Sequence, residues 1–200
     1  MSQHNVVLWG RDTITDIIDG LKFEISPNSF FQINSKQTQV LYNQVLEAAG
    51  LTGNETVFDL YCGTGTISIF LARRAKEVVG IEIVEAAVKD ARRNAAANAI
   101  GNASFYTGAV EDIVAELYED KKCADVVVLD PPRKGSDSVT LDLIVKMAPS
   151  RIVYVSCNPA TLARDLRHLA DGGYKIKSVV PVDMFGHTSH VECVVLMSRV

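Results

Sequence analysis

The sequence predicts an α/β fold in which a mainly parallel, seven-stranded sheet carries helices on both faces. From Val57 onward, short apolar runs alternate with helical runs, and repeated strand–helix units build parallel sheets. The last two apolar runs, 175–182 and 191–198, have no helix between them, which indicates an antiparallel strand at one edge. A shorter alternating run before residue 26 predicts a small β extension at the amino end.

The elements follow in order along the chain. Residues 6–25 alternate as strands do around the turn dipeptide Asp19-Gly20, which predicts a hairpin. Ser35 is a suitable cap for a helix over 35–49, and we place a domain boundary at 26–34, giving segments 1–34 and 35–200. The later strands are predicted at 56–60, 77–81, 103–106, 124–129 and 152–155, and the later helices at 65–74, 84–98, 110–118, 137–147 and 161–170.

The composition is that of a globular domain. The 200 residues are 48% hydrophobic and carry a net charge of −4, a balance that argues mildly against a nucleic-acid partner. We find no apolar run long enough to cross a bilayer and no leader, so we expect no membrane partner and a cytoplasmic location. The four cysteines are isolated from one another and form no metal-binding spacing, so we expect neither a metal nor disulfides.

Cys157 has the most informative position in the chain. It directly follows the apolar strand and precedes Pro159, which suits the first turn of a helix. Ligands of open α/β sheets bind at the carboxyl ends of strands, and a helix N-terminus favours the nucleophilic thiolate. A buried structural thiol is the plain alternative.

Three further strand ends carry chemistry. Asp59-Leu-Tyr-Cys-Gly-Thr-Gly65 is a glycine-rich turn after the first strand of the main domain, which lets the backbone approach a ligand closely. Ser68 replaces the third glycine of the dinucleotide fingerprint, so a nicotinamide cofactor is disfavoured. Glu82 ends the next strand, where a carboxylate can bind ribose hydroxyls. Asp130 precedes two prolines that form a rigid turn.

These motifs together resemble one family, the S-adenosylmethionine-dependent RNA uridine C5 methyltransferases. The resemblance rests on D-L-Y-C-G-T-G, Glu82, D-P-P-R, S-C-N-P, G-H-T-S-H-V-E and the upstream S-F-F-Q-I-N of residues 29–34. It implies a class I, Rossmann-like methyltransferase fold and S-adenosylmethionine as cofactor. It also implies that 1–34 is the remnant of a central domain that full-length members carry before the catalytic domain.

The resemblance assigns roles to individual residues. Cys157 is the nucleophile that attacks C6 of uracil, Glu192 is the base that removes the C5 proton, and the cofactor contacts are Gln32, Tyr61, Glu82 and Asp130. Burial at the start of a strand is expected to raise the pKa of Glu192. Further candidates are Thr66 near the cofactor, Phe30 and Phe31 for base stacking, Arg133 and Lys134 for phosphate, and His187 and His190 for shaping their loop.

The expected partner is RNA, with 23S rRNA preferred over tRNA and with a monomer as the expected state. Two alternatives remain open: a class I methyltransferase with a non-RNA acceptor, and a catalytically incomplete fragment that binds cofactor or RNA. The first would need no pairing of Cys157 with Glu192, and the second would bind cofactor without turnover.

Overall fold

The computed structural model describes residues 6–27, 29–188 and 190–200. Its strands are β1 (Ile14–Ile18), β2 (Leu21–Ile25), β3 (Thr56–Leu60), β4 (Glu77–Glu82), β5 (Ala103–Thr107), β6 (Val126–Leu129), β7 (Arg151–Ser156), β8 (Tyr174–Val182) and β9 (Glu192–Arg199). Its helices are α1 (Ser35–Ala49), α2 (Thr66–Ala72), α3 (Glu85–Ala97), α4 (Val110–Glu119), α5 (Ser138–Met147) and α6 (Pro159–Asp171).

The main sheet contains seven strands in the order β5-β4-β3-β6-β7-β9-β8. Strands β3 to β7 pair in parallel, whereas β9 pairs antiparallel with both β7 and β8. The predicted fold class is therefore confirmed. The antiparallel strand β9 lies one position inside the edge, because the chain returns from β8 and fills the gap beside β7.

Two apolar layers hold the helices on the sheet. Helices α1, α2 and α3 pack on one face and α4, α5 and α6 on the other. Alternate residues of β3 show the division, since Val57 belongs to the first layer and Phe58 to the second. Each such fully buried side chain stabilises the fold by roughly 1.5–3 kcal/mol. The carboxyl ends of the parallel strands stay free of these layers and form one edge.

The amino-terminal hairpin is shorter than predicted. Strand β1 begins at Ile14, and Leu8 and Trp9 are each 94% exposed, because Gly10 turns the chain at φ +83 before any strand partner is reached. The hairpin β1–β2 packs through Ile18 and Phe23 into the core layer under α1. Residues 1–5 of the predicted segment 1–34 lie outside the described residues, and its origin as a domain remnant stays a prediction.

Helix α1 begins at Ser35 as predicted, but its cap and the start of α6 differ from the prediction. The cap of α1 is Asn34, whose Oδ1 accepts a hydrogen bond from the backbone N–H of Gln37 at 3.2 Å, and Ser35 instead donates to Asp16 at 2.6 Å. Helix α6 begins at Pro159, earlier than the predicted Thr161, because the Asn158 side chain caps it. Among the described residues, no helix combines the length and the apolar character needed to cross a bilayer.

Candidate active site

The predicted site residues lie along the carboxyl edge of the sheet in the order of their strands. Glu82 ends β4, Tyr61 follows β3, Asp130 follows β6 and Cys157 follows β7. Glu192 begins β9, and because β9 runs antiparallel to β7 its first residue reaches the same edge. The spatial order β4-β3-β6-β7-β9 therefore brings the predicted cofactor contacts beside the predicted nucleophile and base.

The register of β7 and β9 sets Cys157 against Glu192. Val155 pairs with Val194, and these residues stand two positions before Cys157 and two after Glu192. Side chains two residues apart share one face of a sheet, and both valines belong to the core layer under α1. Glu192 thus projects on the α1 side, while Cys193 packs on the opposite face. Cys157 is the first residue after β7, next to the last paired residue, Ser156.

Burial and charge set the protonation of this pair. Burial raises the pKa of Cys157, the negative charges of Glu192 and Asp130 raise it further, and Arg133 lowers it. Burial also raises the pKa of Glu192, which is 8% exposed, with Arg133 again opposing. The expected rise for Glu192 is confirmed. The expected preference for thiolate at the start of α6 is outweighed by burial and by the two acidic neighbours.

Asp130 lies between the cofactor contacts and the nucleophile. Burial raises its pKa to about 7, and the charges of Glu192 and Asp59 add to the rise. A carboxyl group with this pKa is close to half-protonated at neutral pH, so it can either donate or accept a hydrogen bond. The turn that follows Asp130 is closed by a hydrogen bond from the Gly135 N–H to the Pro132 carbonyl at 2.8 Å.

The glycine turn after β3 is fixed by Glu82. One oxygen of Glu82 accepts a hydrogen bond from the Gly63 N–H at 3.1 Å and the other accepts one from the Val84 N–H at 2.8 Å. Tyr61 adopts φ 65, an uncommon conformation for a residue with a side chain, and Gly65 adopts φ 76. Each Glu82 oxygen keeps a free lone pair for a ligand hydroxyl.

The charges around this turn fit a cationic cofactor. Asp59 is fully buried, its Oδ2 accepts a hydrogen bond from Ser68, and its Oδ1 has no partner among the described residues. Burial raises the pKa of Asp59 to about 7. Glu82 and Asp130 at the sheet edge have the negative charge of the buried Asp59 near them. This arrangement suits the sulfonium and ammonium of S-adenosylmethionine and opposes the pyrophosphate of a nicotinamide cofactor.

A comparison with protein families identifies the chain. A family model described as tRNA (uracil-5-)-methyltransferase matches residues 11–200. The chain belongs to this family. A Bacillus cereus RNA methyltransferase is 58% identical over 194 residues, which is 97% of this chain and 42% of that protein. A Clostridium tetani RNA methyltransferase is 54% identical and covers 99% of this chain and 43% of its own length.

Solved structures agree with the family. The tRNA (uracil-54, C5)-methyltransferase of Pyrococcus abyssi, solved with S-adenosyl-L-homocysteine, is 37% identical, with a TM-score of 0.83, and covers 98% of this chain and 48% of its own. A methyltransferase from Streptococcus mutans at 11% identity and a TM-score of 0.74 shares the fold alone. The chain spans less than half the length of the curated relatives described above.

The segment that carries the family's S-F-F-Q motif is fixed at both ends. Asp90 accepts a hydrogen bond from the Ser29 hydroxyl at 2.8 Å, and the Asn34 amide donates to the Met184 carbonyl at 2.9 Å. Gln32 is buried at 9% exposure, although it makes no hydrogen bond with the sheet-edge residues in the part of the chain that the structure describes. Its contact with the cofactor stays a prediction.

The aromatic and basic candidates differ in how exposed their side chains are. Phe31 packs against Phe23 with ring centroids 6.1 Å apart, whereas Phe30 is 76% exposed and is free to meet a base. Lys134 lines a cleft of about 500 Å³ together with Arg164, and its neighbour Arg133 is exposed.

The remaining predicted candidates are Thr66, His187 and His190. The hydroxyl groups of Thr66 and Tyr42 are hydrogen-bonded at 2.9 Å, which uses Thr66 to join α1 and α2. His187 and His190 are exposed, and Ser189 of the G-H-T-S-H-V-E motif lies outside the described residues. Within residues 6–27, 29–188 and 190–200, no cluster of His, Cys, Asp and Glu could hold a metal ion.

A polar network behind Tyr61 is absent from the sequence-based predictions. The Tyr61 and Ser136 hydroxyl groups are 3.0 Å apart, and the Ser136 N–H donates to the buried Asp165 at 2.8 Å. Asp165 also accepts a hydrogen bond from the Tyr154 hydroxyl at 2.5 Å and one from Arg164 at 2.8 Å. The only sequence sign of this network is its adjacency to two motifs, since Ser136 follows D-P-P-R and Asp165 follows S-C-N-P.

Proposed function

We propose that this domain transfers a methyl group from S-adenosylmethionine to C5 of a uridine in RNA through a covalent cysteine adduct. One observation carries the proposal: the β7–β9 register ends at Ser156 and Cys193, so Cys157 and Glu192 are the next facing positions, and the charges of Glu192 and Asp130 act on Cys157. A methyltransferase whose acceptor is already nucleophilic needs no such pair, whereas uracil C5 becomes nucleophilic only after a thiolate adds to C6.

The proposed reaction has four steps: addition, methyl transfer, proton removal and elimination. The Cys157 thiolate forms a bond to C6, and the C5–C6 double-bond electrons move into an enolate. S-adenosylmethionine would supply the methyl group that bonds to C5, with its S–CH3 bond breaking to leave the neutral thioether S-adenosylhomocysteine. Glu192 removes the proton that C5 still carries. The C5–C6 double bond forms again as the bond between sulfur and C6 breaks, which releases 5-methyluridine and free Cys157.

Residues around the pair support substrate binding. A uridine in folded RNA must leave its stack to reach Cys157, which costs a few kcal/mol. Exposed Phe30 offers a stacking surface, and Arg133 with Lys134 offers phosphate contacts. Asp130, with a pKa of about 7, can donate or accept a hydrogen bond at the uracil edge. Cofactor binding is proposed for Gln32, Tyr61, Glu82 and Asp130, together with Asp59.

The test is product analysis after methyl transfer. The chain is incubated with S-adenosylmethionine carrying a radioactive methyl group and with unmodified 23S rRNA or tRNA. We expect radioactive 5-methyluridine in RNA, with 23S rRNA preferred, and a loss of more than about a thousandfold in Cys157→Ala. Cys123→Ala removes an exposed cysteine elsewhere and should keep full activity. Label in another nucleoside, or undiminished label with Cys157→Ala, would refute the proposal, and a preference for tRNA would correct the RNA assignment alone.

A further inference from the structure

Helix α3 presents three polar side chains, one turn apart, to strand β2. Four residues of a helix rise about 6 Å and two residues of a strand about 6.6 Å. Asp90, Asn94 and Asn98 are therefore spaced to meet every second residue along β2 and Ser26, which follows β2. We call these three side chains the α3 ladder.

The α3 ladder bonds the backbone of β2 as a neighbouring strand would. Asn98 accepts from the Lys22 N–H at 2.8 Å and donates to the Lys22 carbonyl at 2.7 Å. Asn94 accepts from the Glu24 N–H at 2.8 Å and donates to the Glu24 carbonyl at 3.1 Å. Asp90 accepts from the Ser26 N–H at 3.1 Å. The side chains of the α3 ladder thereby provide hydrogen-bond partners for the backbone groups along the outer edge of the hairpin.

Asn94 makes a contact with the glycine turn that Asn98 lacks, whereas the extra contact of Asn98 is a hydrogen bond from its amide to the Asn94 carbonyl at 2.8 Å. The Asn94 amide also donates to the carbonyl of Thr64, in the glycine turn, at 3.3 Å, and Asn94 is completely buried. One helical turn earlier, Ala91 lies against Gly65, where an added Cβ would stand 2.8 Å from the Ala91 Cβ. Helix α3 therefore holds the glycine turn at two adjacent points.

The first residue of the ladder holds the other cofactor element. Asp90 is 2% exposed and accepts hydrogen bonds from both serine hydroxyls, Ser26 and Ser29, at 2.8 Å each. Ser29 opens the segment that carries Gln32. The α3 ladder consequently sets the distance between the glycine turn and the Gln32 segment.

We propose that Asn94 is a positioning residue for S-adenosylmethionine. Asn94 holds the Thr64–Gly65 turn and the amino-terminal hairpin in one binding geometry. This inference rests on the proposed function, because it takes the glycine turn and the Gln32 segment as the two sides of the cofactor site. Asn94 acts through the backbone of Thr64 and does not itself touch the cofactor.

The experiment compares cofactor affinity across three variants of the chain. Asn94→Ala removes the bond to the glycine turn together with two bonds to the hairpin. Asn98→Ala removes the equivalent two hairpin bonds and the bond from its amide to the Asn94 carbonyl, and it leaves the side-chain bond to the glycine turn in place. Val114→Ala creates a cavity on the opposite face of the sheet and controls for lost stability. The dissociation constant for S-adenosylmethionine is measured by titration calorimetry at a temperature where each variant is folded by circular dichroism.

We expect a dissociation constant about three- to tenfold higher in Asn94→Ala, the equivalent of one hydrogen bond, and wild-type values in Asn98→Ala and Val114→Ala. In methylation assays the KM for S-adenosylmethionine should rise in Asn94→Ala while kcat at saturating cofactor stays near wild type. Wild-type affinity in folded Asn94→Ala would overturn this inference alone, as would weakening that simply follows stability across all three variants. A wild-type chain that bound no S-adenosylmethionine would overturn the proposed function as well.

Discussion

Arg133 opposes the rise in pKa of the proposed catalytic pair, Cys157 and Glu192. It is exposed at the end of the D-P-P-R motif, yet it lowers the pKa of both Cys157 and Glu192. At Cys157, Arg133 and a backbone hydrogen bond oppose the rise in pKa that burial and the charges of Glu192 and Asp130 cause. The proposed nucleophile, Cys157, therefore has a raised pKa that Arg133 partly offsets.

Replacing Arg133 should shift the pH dependence of methylation. Only the thiolate attacks, so kcat/KM should rise with pH as Cys157 ionises. Arg133→Gln removes a charge that lowers the pKa of Cys157, so the rising limb should move to higher pH. The profile is measured at fixed ionic strength so that screening stays constant.

Lys134→Gln is the matched control for that shift. Lys134 is the adjacent basic residue, also exposed, and it is not among the groups that set the pKa of Cys157. Its loss should lower activity at every pH through weaker RNA binding, without moving the limb. Superimposable limbs for Arg133→Gln, Lys134→Gln and wild type would show that Arg133 has no part in ionising Cys157.

The turn between β6 and α5 is the element that joins the two halves of the site. It starts at Asp130, beside Cys157, and ends at Ser136, which bonds Tyr61 on the cofactor side. Its backbone is pressed against α6 at Gly135, where an added Cβ would lie 2.5 Å from both Arg164 Nη2 and Asp165 Oδ2. Asp165 is buried and cannot move aside without breaking its bonds.

Gly135→Ala should therefore destabilise the fold more than Gly173→Ala. Both glycines have positive φ, 79 and 94, but Gly173 has open space where the new Cβ would go. We expect a loss of about 1–2 kcal/mol for Gly173→Ala from backbone strain, and about 1–3 kcal/mol more for Gly135→Ala from overpacking. Urea unfolding of the two variants measures the difference, and equal losses would contradict close packing of the turn against α6.

Element boundaries show which local rules the sequence reveals. The strands of the parallel sheet were predictable because they are short apolar runs between turn residues. The cap of α1 was assigned to Ser35 and is Asn34, since both residues can cap and only the path of the chain decides between them. The start of β1 was placed too early because exposed apolar residues such as Trp9 read like strand residues.

At the scale of the whole molecule, the order of strands places the residues of the proposed reaction along one edge of the sheet. The order β4-β3-β6-β7-β9 runs from the proposed ribose contact Glu82, past Tyr61 and Asp130, to Cys157 and Glu192. The sequence predicts this arrangement because parallel strands share one carboxyl edge. It does not predict the Tyr61–Ser136–Asp165 network, whose bonded members are 75 and 29 residues apart. It also does not predict that the α3 ladder bonds β2, because the bonded residues are 64 to 76 positions apart.

The most direct test of the account is whether Cys157 bonds covalently to uracil. RNA containing 5-fluorouridine blocks the final proton removal, because C5 then carries fluorine, so the adduct should persist with S-adenosylmethionine present. We predict a stable protein–RNA band under denaturing conditions for wild type and Cys123→Ala, with mass spectrometry locating the nucleotide on Cys157. With ordinary RNA, Glu192→Gln should accumulate the corresponding Cys157 adduct, in which C5 still carries its proton. An adduct that persists in Cys157→Ala, or one mapped to another residue, would contradict the account.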